Sequence, residues 1–383
     1  MRLRYKAAVL LYHLMKPMFK LSALHNGSSF PGMVARKLCN GIIKQSSCNV
    51  NTVLVAGTNG KTTTVRMICE MISASGRTVS ANREGSNLTN GIVSAFLDNT
   101  TVSGKPINEY VVIECDEKCF ADTVSQTVPH VIVITNVFSD QVYRLGEKKN
   151  VVSMFRDSIK SVPDTAICIN RDNADSMKIV EDAVNNIIYF GVSDDSVHVN
   201  DRVFKPKLSL KGRFNLMNAA ASCASCEALG LLTNETAESL TAVTPAFGRM
   251  ETLSYNGKTV SFHLVKNTVS LNETIHFLKE ERQEGRCILG INDNYCDDKN
   301  IEWFFNSDVA ELSAVFPEII PTGACKNEIN AFFGGKYNTV SEKEIASIIS
   351  DGEKDTVLIL NYSLMMYVRK ILYKNGILKE FWK

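Results

Sequence analysis

The sequence lacks any uncharged apolar run that approaches the roughly 20 residues needed to span a bilayer, so no transmembrane segment is expected. Its N-terminus lacks the apolar stretch and small-residue cleavage site of a secretory signal. The net charge is only +1, which argues against a dedicated nucleic-acid partner or a polybasic membrane partner. Internal repeats and low-complexity tracts are also missing. These absences leave an ordinary globular protein.

The composition agrees with that class, because 45% of the residues are hydrophobic and 22% are charged. A length of 383 residues favours two or three domains over a single core. The 11 cysteines are scattered along the chain. Together with the nucleotide loop described next, they indicate reduced thiols in a cytoplasm.

The most informative stretch is Gly57-Thr-Asn-Gly60-Lys61-Thr62-Thr63-Thr64, which follows an apolar run and precedes an amphipathic helical pattern. Glycines let backbone N–H groups close around phosphate oxygens, and a helix N-terminus adds positive potential. Lys61 would reach the β- and γ-phosphates, and the Thr62 hydroxyl would sit on Mg²⁺. The loop is shorter than the standard G-x4-G-K-[ST] pattern, since position 55 is Val. The order of strand, glycines, Lys-Thr-Thr and helix still predicts nucleotide binding.

From about residue 48, patterns typical of strands and helices alternate, which predicts a doubly wound parallel sheet with its ligand at the carboxyl ends of the strands. These segments are 52–56, 62–75, 110–115, 131–136, 149–161, 165–170 and 174–183. A polar hairpin is expected at 194–201. A domain boundary is expected near Pro245, and a second α/β pattern follows it.

The basic, apolar N-terminal segment, interrupted by Pro17, predicts one or two helices that pack on the next domain. A membrane-surface helix is the alternative.

Polar side chains follow two further predicted strands. Glu114, Asp116 and Glu117 come after the first of them, where carboxylates can hold Mg²⁺ together with several waters. Asn136 ends the second and should project into the same crevice. Arg144 either pairs with a phosphate or carboxylate or forms a surface salt bridge.

These motifs resemble those of the Mur ligase family, ATP-dependent ligases that activate a carboxylate as an acyl phosphate. Within that family the chain is most similar to the MurT branch, the subunits of lipid II isoglutaminyl synthase. The motifs that carry the resemblance are Ala56-Gly-Thr-Asn-Gly-Lys-Thr-Thr-Thr64, Asn82-Arg83-Glu-Gly85-Ser-Asn87, Glu114-Cys-Asp-Glu117, Asn136-Val-Phe-Ser-Asp140-Gln141, Gly212-Arg-Phe-Asn215-Leu-Met-Asn218, Gly248-Arg249-Met-Glu251 and Lys266-Asn267.

The resemblance implies an α/β fold, with a Mur-ligase-type central parallel-sheet ATPase domain that carries the P-loop and a C-terminal Rossmann-like α/β domain. The domains expected are an N-terminal helical segment at 1–47 packed on the central domain, a central ATP-binding domain at 48–244 and a C-terminal MurT-type domain at 245–383.

The resemblance also assigns roles to residues. Thr62 and Glu114 would hold Mg²⁺, Arg249 would reach the phosphates from the hinge, and Lys266 would be delivered from the last domain. The implied catalytic residues are Lys61, Glu114, Lys266 and Asn300. The implied nucleotide-binding residues are Gly57, Thr58, Asn59, Gly60, Lys61, Thr62, Thr63, Asn136, Asn215, Asn218 and Arg249, with Gln141 on the γ-phosphate side.

The implied reaction is ATP-dependent amidation of the D-glutamate α-carboxylate in the lipid II stem peptide. The implied partner is a separate GatD-like glutaminase that supplies ammonia, with which the chain would form a heterodimer. No nucleic acid and at most peripheral membrane contact are expected. The expected cofactors are ATP and Mg²⁺.

The chain departs from the branch in three places. The four-cysteine zinc ribbon is missing, since residues 184–211 contain no Cys; Cys223 and Cys226 are expected to be core thiols, and no zinc is predicted. Asn300 stands where the branch has an Asp that orients the partner's histidine, so glutaminase coupling is weakened unless a neighbouring carboxylate substitutes. Lys266-Asn-Thr-Val replaces Lys-Asn-Pro-Ala-Gly, which changes the turn.

Two other readings remain open. One is a Mur-type ligase that joins an amino acid or another amine to a carboxylate, like folylpolyglutamate synthase. The other is a nucleotide-binding scaffold without transfer activity.

Overall fold

The computed structural model describes residues 2–21, 29–82, 85–138, 148–245, 248–282, 284–293 and 301–379. By its internal contacts the chain divides into two units, Met1–Thr244 and Pro245–Lys383.

The first unit contains one large sheet and the helices that cover it. Its strands are β1 (Asn51–Ala56), β2 (Val79–Ala81), β3 (Tyr110–Glu114), β4 (Val131–Ile134), β5 (Ala166–Asn170), β6 (Ile187–Ser193), β7 (Ser196–Val199) and β8 (Arg202–Phe204). Its helices in the described ranges are α1 (Arg2–Leu21), α2 (Phe30–Leu38), α3 (Ile42–Ser47), α4 (Lys61–Ala74), α5 (Thr89–Asp98), α6 (Glu117–Thr127), α7 (Lys148–Lys160), α8 (Ala174–Met177), α9 (Arg213–Ala228) and α10 (Asn234–Glu238), followed by a 3₁₀ turn at Ser239–Ala242.

The sheet has the order β2-β3-β1-β4-β5-β6-β7-β8. All pairs from β2 to β6 are parallel, whereas β7 and β8 extend the edge as antiparallel strands. The predicted α/β class is therefore confirmed, and the expected polar hairpin forms the antiparallel edge. Since β3 and β4 flank β1 on opposite sides, the winding reverses at β1, and the carboxyl end of β1 is where ligands bind in such sheets.

Both faces of the first sheet are buried. Leu54 and Ala56 belong to the hydrophobic cluster on one face, whereas Val53 and Val55 belong to the cluster on the other. Successive side chains of a strand point to opposite faces, so a run without polar residues suits a strand that is covered on both sides. This double cover fixes the position of the loop that leaves β1.

The N-terminal helices pack within the same unit. Tyr12 Oη donates a hydrogen bond to Ser94 O at 3.2 Å, and Lys16 Nζ lies 2.5 Å from Asp98 Oδ1. Helix α1 runs through Pro17 rather than being interrupted there. Proline removes one N–H, and therefore one hydrogen bond, from a helix, and the tertiary contacts of α1 with α5 hold the helix together. None of the described helices has both the length and the apolar content needed to cross a bilayer.

The helix predicted at 174–183 is shorter than expected, since α8 ends at Met177. The chain continues in tighter turns, in which Ile179 N bonds to Ser176 O at 3.0 Å and Val180 N bonds to Met177 O at 3.2 Å. These i→i+3 bonds place Ile179 in the core without a further helical turn.

The second unit contains a smaller sheet. Its strands are β9 (Arg249–Tyr255), β10 (Lys258–Leu264), β11 (Arg286–Gly290), β12 (Glu318–Thr322) and β13 (Thr356–Leu360). Its helices in the described ranges are α11 (Thr268–Glu280), α12 (Glu302–Phe305), α13 (Leu312–Val315), α14 (Lys326–Phe332), α15 (Ile345–Ser350) and α16 (Tyr362–Lys374), with a 3₁₀ turn at Asp308–Glu311.

The order of the second sheet is β12-β11-β13-β10-β9. Its first three pairings are parallel, and β9 is antiparallel at the edge. Leu289 and Ile288 enter clusters on opposite faces, so this sheet too is covered on both sides. The predicted second α/β pattern is present.

Candidate functional site

The loop after β1 takes a conformation that requires glycine at two positions. Gly57 has a φ of +121° and Gly60 a φ of +84°, values that side chains disfavour. A Cβ on Gly57 would also come within 3.0 Å of Thr135 and Asn136, and a Cβ on Gly60 would meet the Asn218 side chain. The loop is therefore a close-fitting backbone turn at the N-terminus of α4, the geometry that binds phosphate.

Asn136 fixes this loop from the neighbouring strand. Its backbone oxygen accepts a hydrogen bond from Thr58 N at 2.9 Å, and its side-chain Oδ1 accepts one from Asn59 N at 2.9 Å. Thr58 Oγ1 in turn accepts a hydrogen bond from Phe138 N at 3.1 Å. The structure thus places Asn136 beside the loop, as the sequence predicted, and shows that its polar atoms hold loop backbone.

Lys61 begins α4 and is buried, with 6% of its surface exposed. Its ammonium donates to the carbonyl oxygen of Gly57, to Thr58 O at 3.3 Å and to Glu117 Oε1 at 3.4 Å. The three protons of the ammonium are therefore all held by the loop and by one carboxylate. These hydrogen bonds hold the positively charged ammonium directly behind the glycine loop.

Glu117 is itself buried, with 3% exposure. Among the described residues no group hydrogen-bonds to its second oxygen, Oε2. Buried carboxylate oxygens are nearly always satisfied. Glu117 Oε2 is therefore a buried polar atom, close to the Lys61 ammonium, that the described chain leaves without a partner.

Glu114, at the end of β3, is aligned with Val55 of β1. Its Oε2 accepts a hydrogen bond from Thr62 Oγ1 at 2.9 Å, and its Oε1 accepts one from Asn87 Nδ2 at 3.0 Å. Asn82 clamps the backbone, accepting from Glu114 N at 2.7 Å and donating to Glu114 O at 2.8 Å. The carboxylate is therefore held in one orientation beside the Thr62 hydroxyl.

Within the described part of the chain, no cluster of three or more His, Cys, Asp or Glu side chains could hold a metal. The Thr62–Glu114 pair nevertheless fits Mg²⁺, because this ion keeps several waters and takes only one or two protein oxygens besides phosphate. The two oxygens already lie 2.9 Å apart.

A cavity of about 570 Å³ opens at this pair. Thr62, Glu114 and Asn82 line it, together with Arg66 and Glu70 from the outer turns of α4. Arg66 Nη1 donates to Thr244 O at 3.2 Å across the cavity wall. The carboxylate that pairs with Thr62 is thus reachable from a polar chamber large enough for a small molecule or the end of a larger one.

Of two further predicted nucleotide-binding residues, Asn218 lies against the glycine loop at Gly60, and Asn215 lies beside Asn218. Asn215 and Asn218 are buried on α9; Asn218 Nδ2 donates to Asn215 Oδ1 at 3.3 Å, and Thr64 Oγ1 donates to Asn218 Oδ1 at 3.4 Å. Thr63 is buried in α4. Asn218 therefore supports the turn at Gly60 from below.

The remaining predicted residues belong to the second unit. Arg249 begins β9 and is half-buried, and Lys266 is exposed. Asn267, next to Lys266, starts α11 with a reciprocal pair of hydrogen bonds to Ser270, so the changed turn is stabilised as a helix cap. Asn300 lies outside the described residues, as do Gln141 and Arg144 of the first unit.

The expected core cysteines, Cys223 and Cys226, are buried, and so are Cys115 and Cys119. Cys223 and Cys226 lie within α9, and burial raises the pKa of the Cys223 thiol to about 12. Cys115 and Cys119 lie with their sulfur atoms 3.7 Å apart, and burial raises the pKa of the Cys115 thiol.

The sequence grouped Glu117 with the carboxylates that can hold Mg²⁺, whereas the structure pairs it with Lys61, and the sequence did not predict the roles of Asn82 and Asn87. All three stand in motifs quoted for the family resemblance, yet their contacts depend on tertiary structure. The available signal was position: Glu117 follows β3, which lies beside β1, whereas Asn82 and Asn87 follow the edge strand β2, which lies beside β3.

Comparisons with known proteins agree with this geometry. A family model described as the Mur ligase middle domain matches residues 55–226, and one described as the MurT ligase C-terminal matches residues 264–365. The MurT subunit of lipid II isoglutaminyl synthase (glutamine-hydrolyzing) from Streptococcus pneumoniae is 24% identical over an alignment of 432 positions, gaps included. The alignment covers 94% of this chain and 96% of that protein.

Solved structures share the fold. MurF from Acinetobacter baumannii matches with a TM-score of 0.73 and 16% identity over 89% of this chain and 80% of that chain. Folylpolyglutamate synthase from Mycobacterium tuberculosis, crystallised with ADP and AMPPCP, matches with a TM-score of 0.65 and 16% identity over 86% and 91%.

Proposed function

The chain belongs to the Mur ligase family, and we propose that it is the ATP-dependent subunit of an enzyme that amidates lipid II. In this proposal the D-glutamate α-carboxylate of the stem peptide is activated and then converted to the amide of D-isoglutamine. Ammonia would come from a GatD-like glutaminase bound to the chain, and both would work in the cytoplasm. The Mur-type ligase activity itself follows from the family.

One observation carries the proposal for the site. The Lys61–Glu117 pair and the Thr62–Glu114 pair meet at the carboxyl ends of β1 and β3, directly behind a loop that only glycine can form. A buried ammonium behind a glycine loop and a hydroxyl–carboxylate pair that can hold Mg²⁺ are the groups that phosphate-binding loops use for a nucleoside triphosphate.

Each residue of the site has a definite task in this account. The loop amides and Lys61 bind the triphosphate, and Glu117 keeps the Lys61 ammonium beside the loop. Thr62 and Glu114 would hold Mg²⁺, while Asn87 and Asn82 keep the carboxylate turned toward the hydroxyl.

In this account ATP, with Mg²⁺, transfers its γ-phosphoryl group to the acceptor carboxylate to give an acyl phosphate and ADP, and ammonia then displaces phosphate to form the amide. The chain must keep this activated carboxylate away from water until ammonia arrives. The cavity of about 570 Å³ beside Glu114 is the chamber in which we place the acceptor carboxylate. Arg66 lies on its wall and is the cation that we propose to orient it.

The other assignments stay predictions. Asn136 and Asn218 are proposed to support the nucleotide through the loop that they contact, and Asn215 through its hydrogen bond with Asn218. Arg249, Lys266 and Asn300 keep the roles that the family resemblance implies.

A folylpolyglutamate-like activity has less support. Its structural match, at 16% identity, concerns the fold alone, whereas the family model that matches residues 264–365 is described as that of MurT ligases. Addition of an amino acid would increase the mass of the acceptor, whereas amidation lowers it slightly.

Mass spectrometry of lipid II incubated with the protein, ATP, Mg²⁺ and ammonium therefore tests the proposal. With the parent protein, and with the surface control Glu109→Gln, we expect lipid II to show the small decrease in mass that acid-to-amide conversion produces. With Glu114→Gln the mass of lipid II should not change. An added residue would establish the amino acid ligase instead. Nucleotide hydrolysis without any change in lipid II would refute the proposed acceptor.

A further inference from the structure

The outward face of α1 is apolar along its centre. Leu3, Leu10, Leu14 and Met18 are 82%, 48%, 60% and 69% exposed. Their spacing of seven, four and four residues aligns them on one side of the helix. We call these four side chains the α1 stripe.

The α1 stripe is not the face by which the helix packs. Ala8, Val9 and Tyr12 are buried on the opposite side, and Tyr12 hydrogen-bonds to Ser94 O of α5. A surface helix normally shows one apolar face, turned to the core, and a polar face turned outward. Helix α1 has a second apolar surface, which faces away from the unit that anchors it.

Basic side chains flank the α1 stripe. Arg4 and Lys6 are exposed, and at 100° per residue they project on opposite sides of it. The first 47 residues contain no Asp or Glu. Their basic residues are Arg2, Arg4, Lys6, Lys16, Lys20, Arg36, Lys37 and Lys44.

The positive charge is concentrated in these first 47 residues and is not a property of the whole chain. The whole chain has a net charge of only +1, so the residues that follow this segment carry a net negative charge. Arg36 and Lys37 lie in the last turn of α2, which packs against α1, and Phe30 and Leu38 of α2 are 41% exposed.

We propose that the α1 stripe and its basic flanks dock the protein on an anionic phospholipid surface. An apolar stripe that enters the acyl boundary, with cations at the level of the headgroups, is the arrangement of interfacial helices. The helix lies on the bilayer and does not cross it, in keeping with its composition. A protein partner with an acidic surface is the alternative occupant, and it is one of the outcomes of the test below.

The attachment of α1 makes this surface a fixed part of the first unit. Lys16 lies 2.5 Å from Asp98 at the end of α5, and His13 Nε2 lies 2.7 Å from Thr100 O. Helix α1 is thus bound to its unit through polar contacts that leave the α1 stripe outward. The docking needs no unfolding of the helix, and it does not depend on which reaction the protein catalyses.

Co-sedimentation of the full-length protein with vesicles tests the proposal. The vesicles contain phosphatidylglycerol and phosphatidylcholine in equal parts and no peptidoglycan precursor, so the result is independent of the proposed function. We expect binding to these vesicles, weak binding to pure phosphatidylcholine and a marked decrease at high salt.

Two pairs of variants separate the apolar term from the charge term. Leu10→Glu with Leu14→Glu should weaken binding on the order of tenfold or more, and Arg4→Glu with Lys6→Glu should weaken it on the order of tenfold. The matched controls are Val184→Glu with Val203→Glu, at exposed apolar positions elsewhere, and Lys205→Glu with Lys207→Glu, at exposed basic positions.

These controls should bind like the parent protein. Equal binding by the stripe variants and the parent would overturn the proposal. An absence of vesicle binding by the parent would also overturn it. If the parent then self-associated or bound the glutaminase, and the stripe variants lost that association, a protein surface would be the partner that covers the α1 stripe.

Discussion

Buried charges occur in both units, but the two sets differ in how completely they are paired. In the second unit Arg286 donates to Asp351 Oδ1 at 2.6 Å, to Asp351 Oδ2 at 2.8 Å and to Thr356 Oγ1 at 3.0 Å. The hydrogen bonds from Arg286 hold the pKa of Asp351 below its usual value. This pair joins the start of β11 to the loop after α15, so it ties the sheet to its surroundings.

Arg369 gives a second example in the same unit. It is fully buried on α16, donates to Glu251 Oε2 at 2.8 Å and lies over the Phe262 ring at 5.2 Å. These charges bind one part of the unit to another, and the contacts are internal.

In the first unit the buried charges gather at the carboxyl ends of neighbouring strands. Lys61 is held by the loop and by Glu117, yet Glu117 Oε2 has no partner among the described groups, and Glu114 opens onto a cavity. The comparison teaches that burial alone does not distinguish a folding charge from a functional one. The two sets differ instead in position, since Lys61, Glu117 and Glu114 lie at the ends of neighbouring strands beside a cavity, and in the one oxygen, Glu117 Oε2, that the described groups leave without a partner.

The largest effect is expected from Lys61→Ala. Nucleotide turnover should fall on the order of 10³-fold or more, because the cation beside the terminal phosphates is lost. The same change leaves Glu117 buried without its partner, so the free energy of unfolding should also fall, by about 3 kcal/mol. Turnover assays and urea denaturation measure the two effects.

A double variant separates them. Adding Glu117→Gln to Lys61→Ala removes the unpaired charge, so stability should recover while turnover stays lost. Lys279→Ala, which breaks the exposed pair with Glu311, is the control and should change neither quantity strongly. Turnover that returned together with stability would mean that Lys61 serves only the fold.

Arg369→Met tests whether the buried charges of the second unit serve the fold alone. Removing one member of a buried pair should lower the free energy of unfolding by about 3 kcal/mol, while turnover per folded molecule should stay unchanged. Replacing Glu251 by Leu in the same chain should restore part of the stability, since no charge is then left unpaired. A specific loss of turnover in the folded variant would contradict a purely structural role.

His263 should make the stability of the second unit decrease at acidic pH. Burial lowers the pKa of His263 from 6.5 to about 4, and its Nε2 has no hydrogen-bond partner among the described residues. Below about pH 6.5 the unfolded chain binds a proton that the folded chain does not, so stability falls as pH is lowered toward about 4. At about pH 5 the free energy of unfolding should be lower than at neutral pH by about 2 kcal/mol.

Denaturation of His263→Gln across this pH range measures the effect, since glutamine does not titrate. The variant should lose this part of the pH dependence, whereas His276→Gln, at a position 64% exposed, should keep it. Identical pH profiles for parent and His263→Gln would show that His263 is not the group responsible.

The smallest effect is expected from Asn87→Ala. Its amide orients the Glu114 carboxylate, and loss of such an outer contact typically weakens metal affinity on the order of tenfold. The Mg²⁺ concentration at half-maximal turnover should rise accordingly, with little change at saturating Mg²⁺. Asn375→Ala, at an exposed helix end, is the control; an unchanged Mg²⁺ requirement in Asn87→Ala would remove Asn87 from the site.

The sequence predicted most of what depends on local pattern and on chain order. Alternating strands and helices indicated the α/β fold, and the loop motif placed Lys61 and Thr62 at a helix N-terminus. Glu114 and Asn136 could be grouped with them because carboxyl ends of parallel strands meet at one edge.

The rest depends on packing that a pattern does not contain. The antiparallel strand β9 and the continuation of α1 through Pro17 are fixed by tertiary contacts that outweigh local propensity. The partnership of Glu117 with Lys61 joins residues 56 positions apart, and the orphaned Oε2 becomes visible only once burial is known.

Calorimetric titration with AMPPCP in the presence of Mg²⁺ tests the central claim most directly. The account predicts saturable binding to the parent protein and to Lys279→Ala, and no measurable binding to the double variant Lys61→Ala, Glu117→Gln, which keeps the fold without the charges. Undiminished binding by that double variant, or no binding by the parent, would contradict the assignment of the loop and its buried charges to the nucleotide.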